Sequence, residues 1–247
     1  MTLQLNTIAP DFTLPSHLDK LVTLSDLRGM NVALAFFPRT FTPVCSHQIP
    51  AYEAELEKFV ALDTQVLAIS TDNTASQKAW AESLGGIHYP ILSDFWPHGL
   101  VSMKYEVLRS EGYPERAVFL IDKSGLVRYV DVHDINEAPS NLELRQKIRE
   151  IAPTVRDRAE SLPPQTIPHG GLVMYCTAWC PDCRRARAWL SSRNIPYTEV
   201  DITANPAAAK QVEAWNHGNR TTPTFEINGK VITDFDDAVL SEALHLD

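Results

Sequence analysis

Residues 153–171, "PTVRDRAESLPPQTIPHGG", constrain the fold of this chain more than any other stretch: four prolines and two glycines with no apolar periodicity. Proline fixes φ and removes a backbone donor, so neither a helix nor a central strand runs comfortably through such a segment. Apolar residues on either side must then be buried separately. The expected organisation is a first domain over 1–152, a Pro-rich linker over 153–170 and a smaller domain over 171–247. A flexible linker of roughly 17 residues has an r.m.s. reach of ~20–25 Å, so sites on the two domains can meet at about millimolar effective concentration.

Both sides of the linker alternate strand and helix signals. "NVALAFF" (31–37), "QVLAIS" (65–70), "AVFLID" (117–122) and "LVRYVDV" (126–132) are apolar and β-branched, the composition of buried strands. Ile49, Tyr52, Leu56, Phe59 and Val60 recur at helical spacing, and "TASQKAWAESLGG" reads as a helix capped by Thr74 and stopped at Gly85. The tight turn "DKSG" joins the last two strands, giving a mixed sheet. Beyond the linker, strand "LVMYC" leads to helix "CPDCRRARAWLSSRN", strand "YTEVDI" and helix "PAAAKQVEAWNH". A hairpin turning at Asn228-Gly229 and a last helix from Asp236 complete it. The fold class is α/β in both domains.

Composition excludes some partners. A net charge of −9 is unsuited to neutralising phosphates, so nucleic acid is not expected. No apolar run of about 18 residues occurs and the first residues lack a basic-then-apolar leader pattern, so a cytoplasmic location and no membrane contact are expected. In a reducing compartment, four cysteines with three of them inside residues 176–183 point to redox chemistry or metal binding rather than a disulfide scaffold.

The lone cysteine is Cys45, closing "PRTFTPVC" (38–45). Cysteine reacts as thiolate, and a free thiol has a pKa of about 8.5. Where a strand hands over to a helix, backbone N–H groups and the helix dipole stabilise negative charge on the sulfur. Thr42 offers a hydroxyl to an incoming oxygen, while Pro38 and Pro43 stiffen the loop. By spacing alone, a buried structural cysteine is the competing reading.

The stretch is similar to the peroxiredoxin signature P-x-x-x-T-x-x-C, with Pro38, Thr42 and Cys45 in the matching places. "ERAVFLID" supplies Arg116 where that family carries an arginine, and "LSDFWPHGLVSMKYEV" (92–107) resembles the one-cysteine, alkyl hydroperoxide reductase E type. The likeness spans residues 3 to 150 or so. It implies a thioredoxin-fold domain in which Cys45 attacks a peroxide O–O bond and becomes a sulfenic acid. Thr42 and Arg116 would then position the peroxide and stabilise the leaving oxygen. Some members carry a resolving cysteine five residues on, where this chain has Pro50, and others near the domain's end, yet no cysteine occurs between 46 and 175. The first domain cannot resolve its own sulfenic acid.

The second domain opens "YCTAWCPDC", a C-x-x-C at a strand-to-helix junction, which reads as a thioredoxin-like pair. Cys180 at the helix start is the expected nucleophile and Cys183 its disulfide partner. Arg184, Arg185 and Arg187 favour thiolate or form a solvated face, whereas Asp182 works against thiolate. Cys176, Cys180 and Cys183 also spell C-x-x-x-C-x-x-C, the cluster signature of radical S-adenosylmethionine enzymes. Those require a barrel of about 200 residues, which the chain after the motif cannot supply. Zinc would need a fourth ligand, His217 being the candidate. No metal and no cofactor are expected, and Cys176 is read as a packed core thiol.

Downstream, "NRTTPTFEING" resembles the glutaredoxin and mycoredoxin pattern, which implies a cis-proline at Thr222-Pro223 beside the redox cysteines, with Trp179 shaping the thiol groove. The glycines by which glutaredoxins hold glutathione are replaced by "TDFDDAV", with Asp236 and Asp237 at the helix start. Trp80, Trp96 and His98 read as packing or loop filling.

Together the resemblances imply two thioredoxin-fold domains, a peroxiredoxin-type domain followed by a smaller glutaredoxin-type one. The expected activity is a thiol-dependent peroxidase for hydrogen peroxide or alkyl hydroperoxides. It would be regenerated through Cys180 and Cys183 with glutathione or mycothiol, in a homo-oligomer of two or more copies. Two routes stand open: direct attack of Cys180 on the sulfenic acid, or removal of a thiol cap from Cys45, the second being preferred. The rival class is a peroxide sensor that relays oxidation to client proteins.

Overall fold

The computed structural model describes residues 3–152, 167–168 and 170–246. Most of the proline-rich segment, 153–166 and 169, therefore lies outside the described residues, and with it the expectation of a linker. The chain divides into two compact units, Met1–Glu160 and Ser161–Asp247.

In the first unit, β1 (Thr13–Pro15) and β2 (Leu21–Thr23) form a short antiparallel hairpin. The main sheet holds β3 (Asn31–Phe36), β4 (Thr64–Ser70), β5 (Ile91–Ser93), β6 (Arg116–Ile121) and β7 (Val127–His133), in the order β5-β4-β3-β6-β7. Pairing is parallel through β3, β4 and β5 and antiparallel at β3–β6 and β6–β7. Every residue of β3, β4 and β6 is buried, which is why these strands are continuous apolar runs rather than alternating ones. β5 has only three residues and no strong β signal, and the sequence pattern passed over it.

Among the described residues, five α-helices accompany this sheet: α1 (Cys45–Ala54), α2 (Leu56–Val60), α3 (Thr74–Ser83), α4 (Leu100–Lys104) and α5 (Asn141–Ile151). Ile49, Tyr52, Leu56 and Phe59 are buried as their spacing required, but the helix they suggested is broken at Glu55, whose φ of −119° and ψ of 13° leave the helical region. The cap of α3 is Asn73 rather than Thr74: the Asn73 carboxamide oxygen accepts from the Ser76 N–H at 2.9 Å. Asparagine caps at least as well as threonine, and one residue of register separated them. A core of β3, β4 and α1–α3 side chains contains Cys45 alongside Phe37, Tyr52, Phe59, Trp80 and Tyr89.

The second unit has the sheet order β11-β10-β8-β9, from β8 (Leu172–Cys176), β9 (Thr198–Asp201), β10 (Thr224–Ile227) and β11 (Lys230–Thr233). β8 and β9 are parallel, joined through α6 (Pro181–Ser192); β10 is antiparallel to both β8 and β11. α7 (Pro206–Trp215) and α8 (Asp237–Ala243) complete it. Asn228 and Gly229 have φ of 48° and 89°, the pair of positive values that a two-residue hairpin of this hand requires. Both units are thioredoxin-type α/β folds.

Candidate active site

β3 ends at Phe36, the chain crosses buried Phe37 and Pro38, and α1 begins at Cys45 itself. The connecting loop is held locally. The Thr42 hydroxyl donates to the Arg39 carbonyl at 3.0 Å, and the Ser46 N–H to the Thr42 carbonyl at 2.9 Å. Phe41 takes a φ of 59°, a conformation that costs a bulky side chain and persists only where neighbours enforce it.

Cys45 is fully buried, and so is Arg116, the first residue of β6. Both terminal nitrogens of the guanidinium, Nη1 and Nη2, lie 3.5 Å from the Cys45 sulfur. Such a charge-assisted donor pair suits an anionic sulfur, and later an anionic oxygen leaving from it. The guanidinium is fixed from behind by the Ile135 carbonyl, which accepts from Nε at 3.1 Å and Nη2 at 2.8 Å. Its Nη1 also donates to the Gln48 carboxamide oxygen. Gln48 in turn donates to the Tyr52 hydroxyl at 3.4 Å, and burial pushes that phenol up to about 12, so it stays protonated at neutral pH. Gln48 was not anticipated, although its place three residues after Cys45 puts it on the same face of α1.

Two of the weaker expectations separate. Trp80 is core, donating from its indole to Ser46 at 3.4 Å, but Trp96 is 82% exposed and fills nothing. The Trp96 indole sits on a loop, where an apolar ring in the sequence carries no signal of which way it faces. His98 donates from Nε2 to the Gly112 carbonyl, 2.7 Å away, and so does tie two loops together.

In the second unit Cys180 is the N-cap of α6, and its sulfur accepts from the Cys183 N–H at 3.3 Å. Its S–H donates to the Thr222 carbonyl at 3.3 Å, and the Thr222-Pro223 peptide is cis. All three cysteines here are buried free thiols. Burial, reinforced by the neighbouring Cys180 sulfur, pushes the Cys183 thiol well up, while the Thr177 N–H acts weakly the other way. Both sulfurs are buried, and what separates them is place: Cys180 stands at the helix start and accepts the Cys183 N–H. Trp179 is buried directly before Cys180.

Cys176 is more than filler. It contacts the Glu199 carboxylate at 3.1 Å and the Arg187 guanidinium at 3.3 Å, and Arg187 pairs with Glu199 at 2.8 Å. Burial raises the Cys176 thiol, and Glu199 adds to the effect. Of the three arginines after Cys183, Arg187 thus faces Cys176, and Arg185 pairs with Asp182. Among the described residues, no group of three or more His, Cys, Asp or Glu side chains converges as a metal site would. Nor, among them, is any helix long and apolar enough to cross a membrane.

What the two units share is a sulfur held at the start of a helix on an α/β scaffold, and that is the equipment of a thiol-dependent oxidoreductase. Comparison with known proteins narrows the class. The AhpC/TSA family model matches residues 5–130, just over half the chain, and the glutaredoxin model matches residues 172–232. The chain belongs to the AhpC/TSA family, with a glutaredoxin domain following its peroxiredoxin domain.

Over 137 residues it is 39% identical to alkyl hydroperoxide reductase E of Mycobacterium tuberculosis, covering 55% of this chain and 89% of that protein. Mouse peroxiredoxin-2 is 36% identical over 142 residues, 53% of this chain and 71% of its own. Among solved structures, the reduced 2-Cys peroxiredoxin of Plasmodium vivax superposes with a TM-score of 0.57 at 28% identity, covering 62% of this chain and 98% of that one. The protein is a thiol peroxidase with a disulfide-reductase domain of glutaredoxin type.

Proposed function

We propose that hydrogen peroxide or an alkyl hydroperoxide is reduced at Cys45 and that the glutaredoxin domain returns this sulfur to the thiol. The Cys45 thiolate attacks the nearer peroxide oxygen, the O–O bond breaks, and the leaving oxygen takes a proton to become water or alcohol. Arg116 holds the attacking sulfur and the oxygen that accumulates charge, while Thr42 and Pro38 shape the loop around them. Cys45 is left as a sulfenic acid. A low-molecular-weight thiol condenses with it, releasing water and leaving a mixed disulfide. Cys180 then attacks the cap's sulfur and Cys45 departs as thiol; a second small thiol frees Cys180 directly, or Cys183 displaces the cap as thiol and two further small thiols reduce the resulting Cys180–Cys183 disulfide.

The observation that carries this reading is the absence of any cysteine from residues 1–175 other than Cys45, set against a free cysteine pair in the second domain. Thr222 and Pro223, next to the Cys180 sulfur, would present backbone to the bound thiol, with Trp179 supporting the groove. The chain is expected to act as a homo-oligomer in the cytoplasm. Four exposed apolar side chains between residues 95 and 103 (Phe95, Trp96, Leu100 and Met103) supply surface for such an association. The test is steady-state peroxide consumption with glutathione, mycothiol or a thioredoxin system offered as sole reductant. Sustained turnover with a small thiol supports the reading; turnover with thioredoxin alone would overturn it.

A further inference from the structure

Between β3 and α1, residues 38–43 lead Thr42 up to Cys45. Among the described residues this loop makes one hydrogen bond to a segment other than itself and α1: the Thr40 N–H donates to Oδ2 of Asp72 at 2.8 Å. Pro38 and Pro43 have no N–H to offer, and the Thr42 hydroxyl is used inside the loop, on the Arg39 carbonyl. Two looser contacts add to the hold. The Arg39 guanidinium lies 4.4 Å from the centre of the Tyr113 ring, and the Phe41 and Trp80 ring centres are 6.3 Å apart. Thr40 directly precedes Phe41, the residue whose φ of 59° needs enforcing.

Asp72 is itself fixed. It stands two residues past Ser70, the last residue of β4, and its Oδ2 also accepts from the Ser70 hydroxyl at 2.9 Å. The Ser70 oxygen in turn accepts from the Gln77 carboxamide at 3.1 Å, and buried Gln77 donates as well to the Leu92 carbonyl at 2.9 Å. The Ser93 hydroxyl holds the Asp72 carbonyl at 2.7 Å. A polar chain therefore runs from Gln77 on α3, through Ser70 at the end of β4, to Asp72 and the Thr40 amide. Each member orients the next, so the sheet sets where the loop sits.

We infer that Asp72 is a positioning residue for peroxide reduction, fixing through the Thr40 amide the place at which Thr42 meets a peroxide over Cys45. This rests on the reading of Cys45 as the sulfur that peroxide oxidises. In that step the Cys45 thiolate forms an S–O bond to the terminal oxygen of ROOH as the O–O bond breaks. The sulfur loses two electrons and keeps the OH, and the departing RO⁻ takes a proton from water. Attack follows the line of the breaking bond, so a small displacement of the loop slows the reaction without changing the charge on the sulfur. That charge is governed by Arg116, which arrives on β6 and not through Asp72.

The test uses the full chain, reduced beforehand and mixed with hydrogen peroxide for a single turnover. Cys45 oxidation is followed by rapid quenching and mass mapping, over a range of pH. Asp72→Ala should lower the plateau of the pH–rate profile about tenfold and leave its midpoint in place. Amide hydrogen exchange should show protection lost at Thr40. Asp72→Asn should stay within about threefold of the unmodified rate and keep that protection, because one oxygen accepts both contacts and a carboxamide oxygen can replace it. Ser70→Ala should slow oxidation about threefold, and adding it to Asp72→Ala should cost little more, since both act through one tether. An unmodified rate in Asp72→Ala, a shifted midpoint, an Asp72→Asn protein as slow as Asp72→Ala, or additive losses in the double variant would overturn the inference. If Asp72→Ala does not fold, Ser70→Ala decides: an unmodified rate there overturns it equally. Failure of peroxide to oxidise Cys45 in the unmodified chain would instead bring down the reading of Cys45, a result distinct from equal rates among the variants.

Discussion

At the residue scale the chemistry turns on one sulfur and one guanidinium. Arg116 is buried, and the structure surrounds its guanidinium with the Cys45 sulfur, the Gln48 carboxamide and the Ile135 carbonyl. Among the described residues no carboxylate pairs with this guanidinium, so negative charge on the sulfur or oxygen facing it is favoured. Arg116→Met should therefore slow Cys45 oxidation by about 2–4 kcal/mol, roughly 30- to 1000-fold, in stopped-flow measurements at pH 7. An unchanged rate would reduce Arg116 to a structural role. Cys45→Ser should abolish peroxide consumption and leave reduction of small disulfides by the second domain intact, because a serine hydroxyl is too weak an acid to act as nucleophile. The Pro, Thr and Cys positions were legible because that signature is local and its spacing is short, and Arg116 through the family likeness of its own segment. Gln48, Ile135 and the Arg187–Glu199 pair over Cys176 were not, since each meets its partner only when distant segments fold together.

Among the elements, the short β5 strand is one that sequence pattern did not find, as it did not find β1 and β2, and its anchoring explains how three residues hold a place in the sheet. The His17 ring, from the turn between β1 and β2, accepts the Ile91 N–H at Nδ1 (3.1 Å) and donates from Nε2 to the Ile87 carbonyl (3.0 Å). Both ring nitrogens are used in the neutral form, and burial lowers the His17 pKa from 6.5, with His88 contributing the same way and Asp19 opposing. A depressed histidine stabilises the fold above its unfolded pKa, and that contribution is lost as pH falls below about 6.5 and through the folded value. The hydrogen-exchange protection factor of the Ile91 amide should accordingly drop between pH 6.5 and 5, while amides in β4 keep theirs. A flat Ile91 profile across that range would contradict the assignment. In the second domain Asp236 caps α8, its carboxylate accepting from the Ala238 and Val239 N–H groups. Asp236→Ala should destabilise that unit by about 1 kcal/mol in denaturant titration, and Asp236→Asn by much less, since asparagine caps as well as aspartate.

On the scale of the whole molecule, one polypeptide supplies both the oxidised sulfur and the pair proposed to restore it. Cys180→Ser should leave the first oxidation of Cys45 fast and stop turnover after one stoichiometric burst with a small thiol as reductant. Cys183→Ser separates the two routes. If Cys180 attacks the sulfenic acid directly, losing Cys183 traps a Cys45–Cys180 disulfide visible by mass spectrometry, and activity falls away. Removal of a thiol cap leaves substantial activity, because a second small thiol can release Cys180. A Cys180→Ser protein that cycles at the unmodified rate would mean that an external reductase serves Cys45.

Local chemistry determined a good deal of this protein before any folding was considered. Helix and strand periodicity, the Asn228-Gly229 turn, the proline-rich break and the spacing of the cysteines are all properties of short segments, and a sequence displays short segments directly. Two α/β units of one redox class follow from them. Tertiary structure alone decided what crosses sequence distance: Arg116 reaches back 71 residues to Cys45, Thr222 meets Cys180 across 42, and His17 holds a strand 74 residues away. It also decided orientation, burying Trp80 and exposing Trp96 from equally apolar stretches. The physical reason is common to these cases. A side chain's partner and its burial depend on which surfaces the packed sheet and helices bring together, and no one segment carries that information.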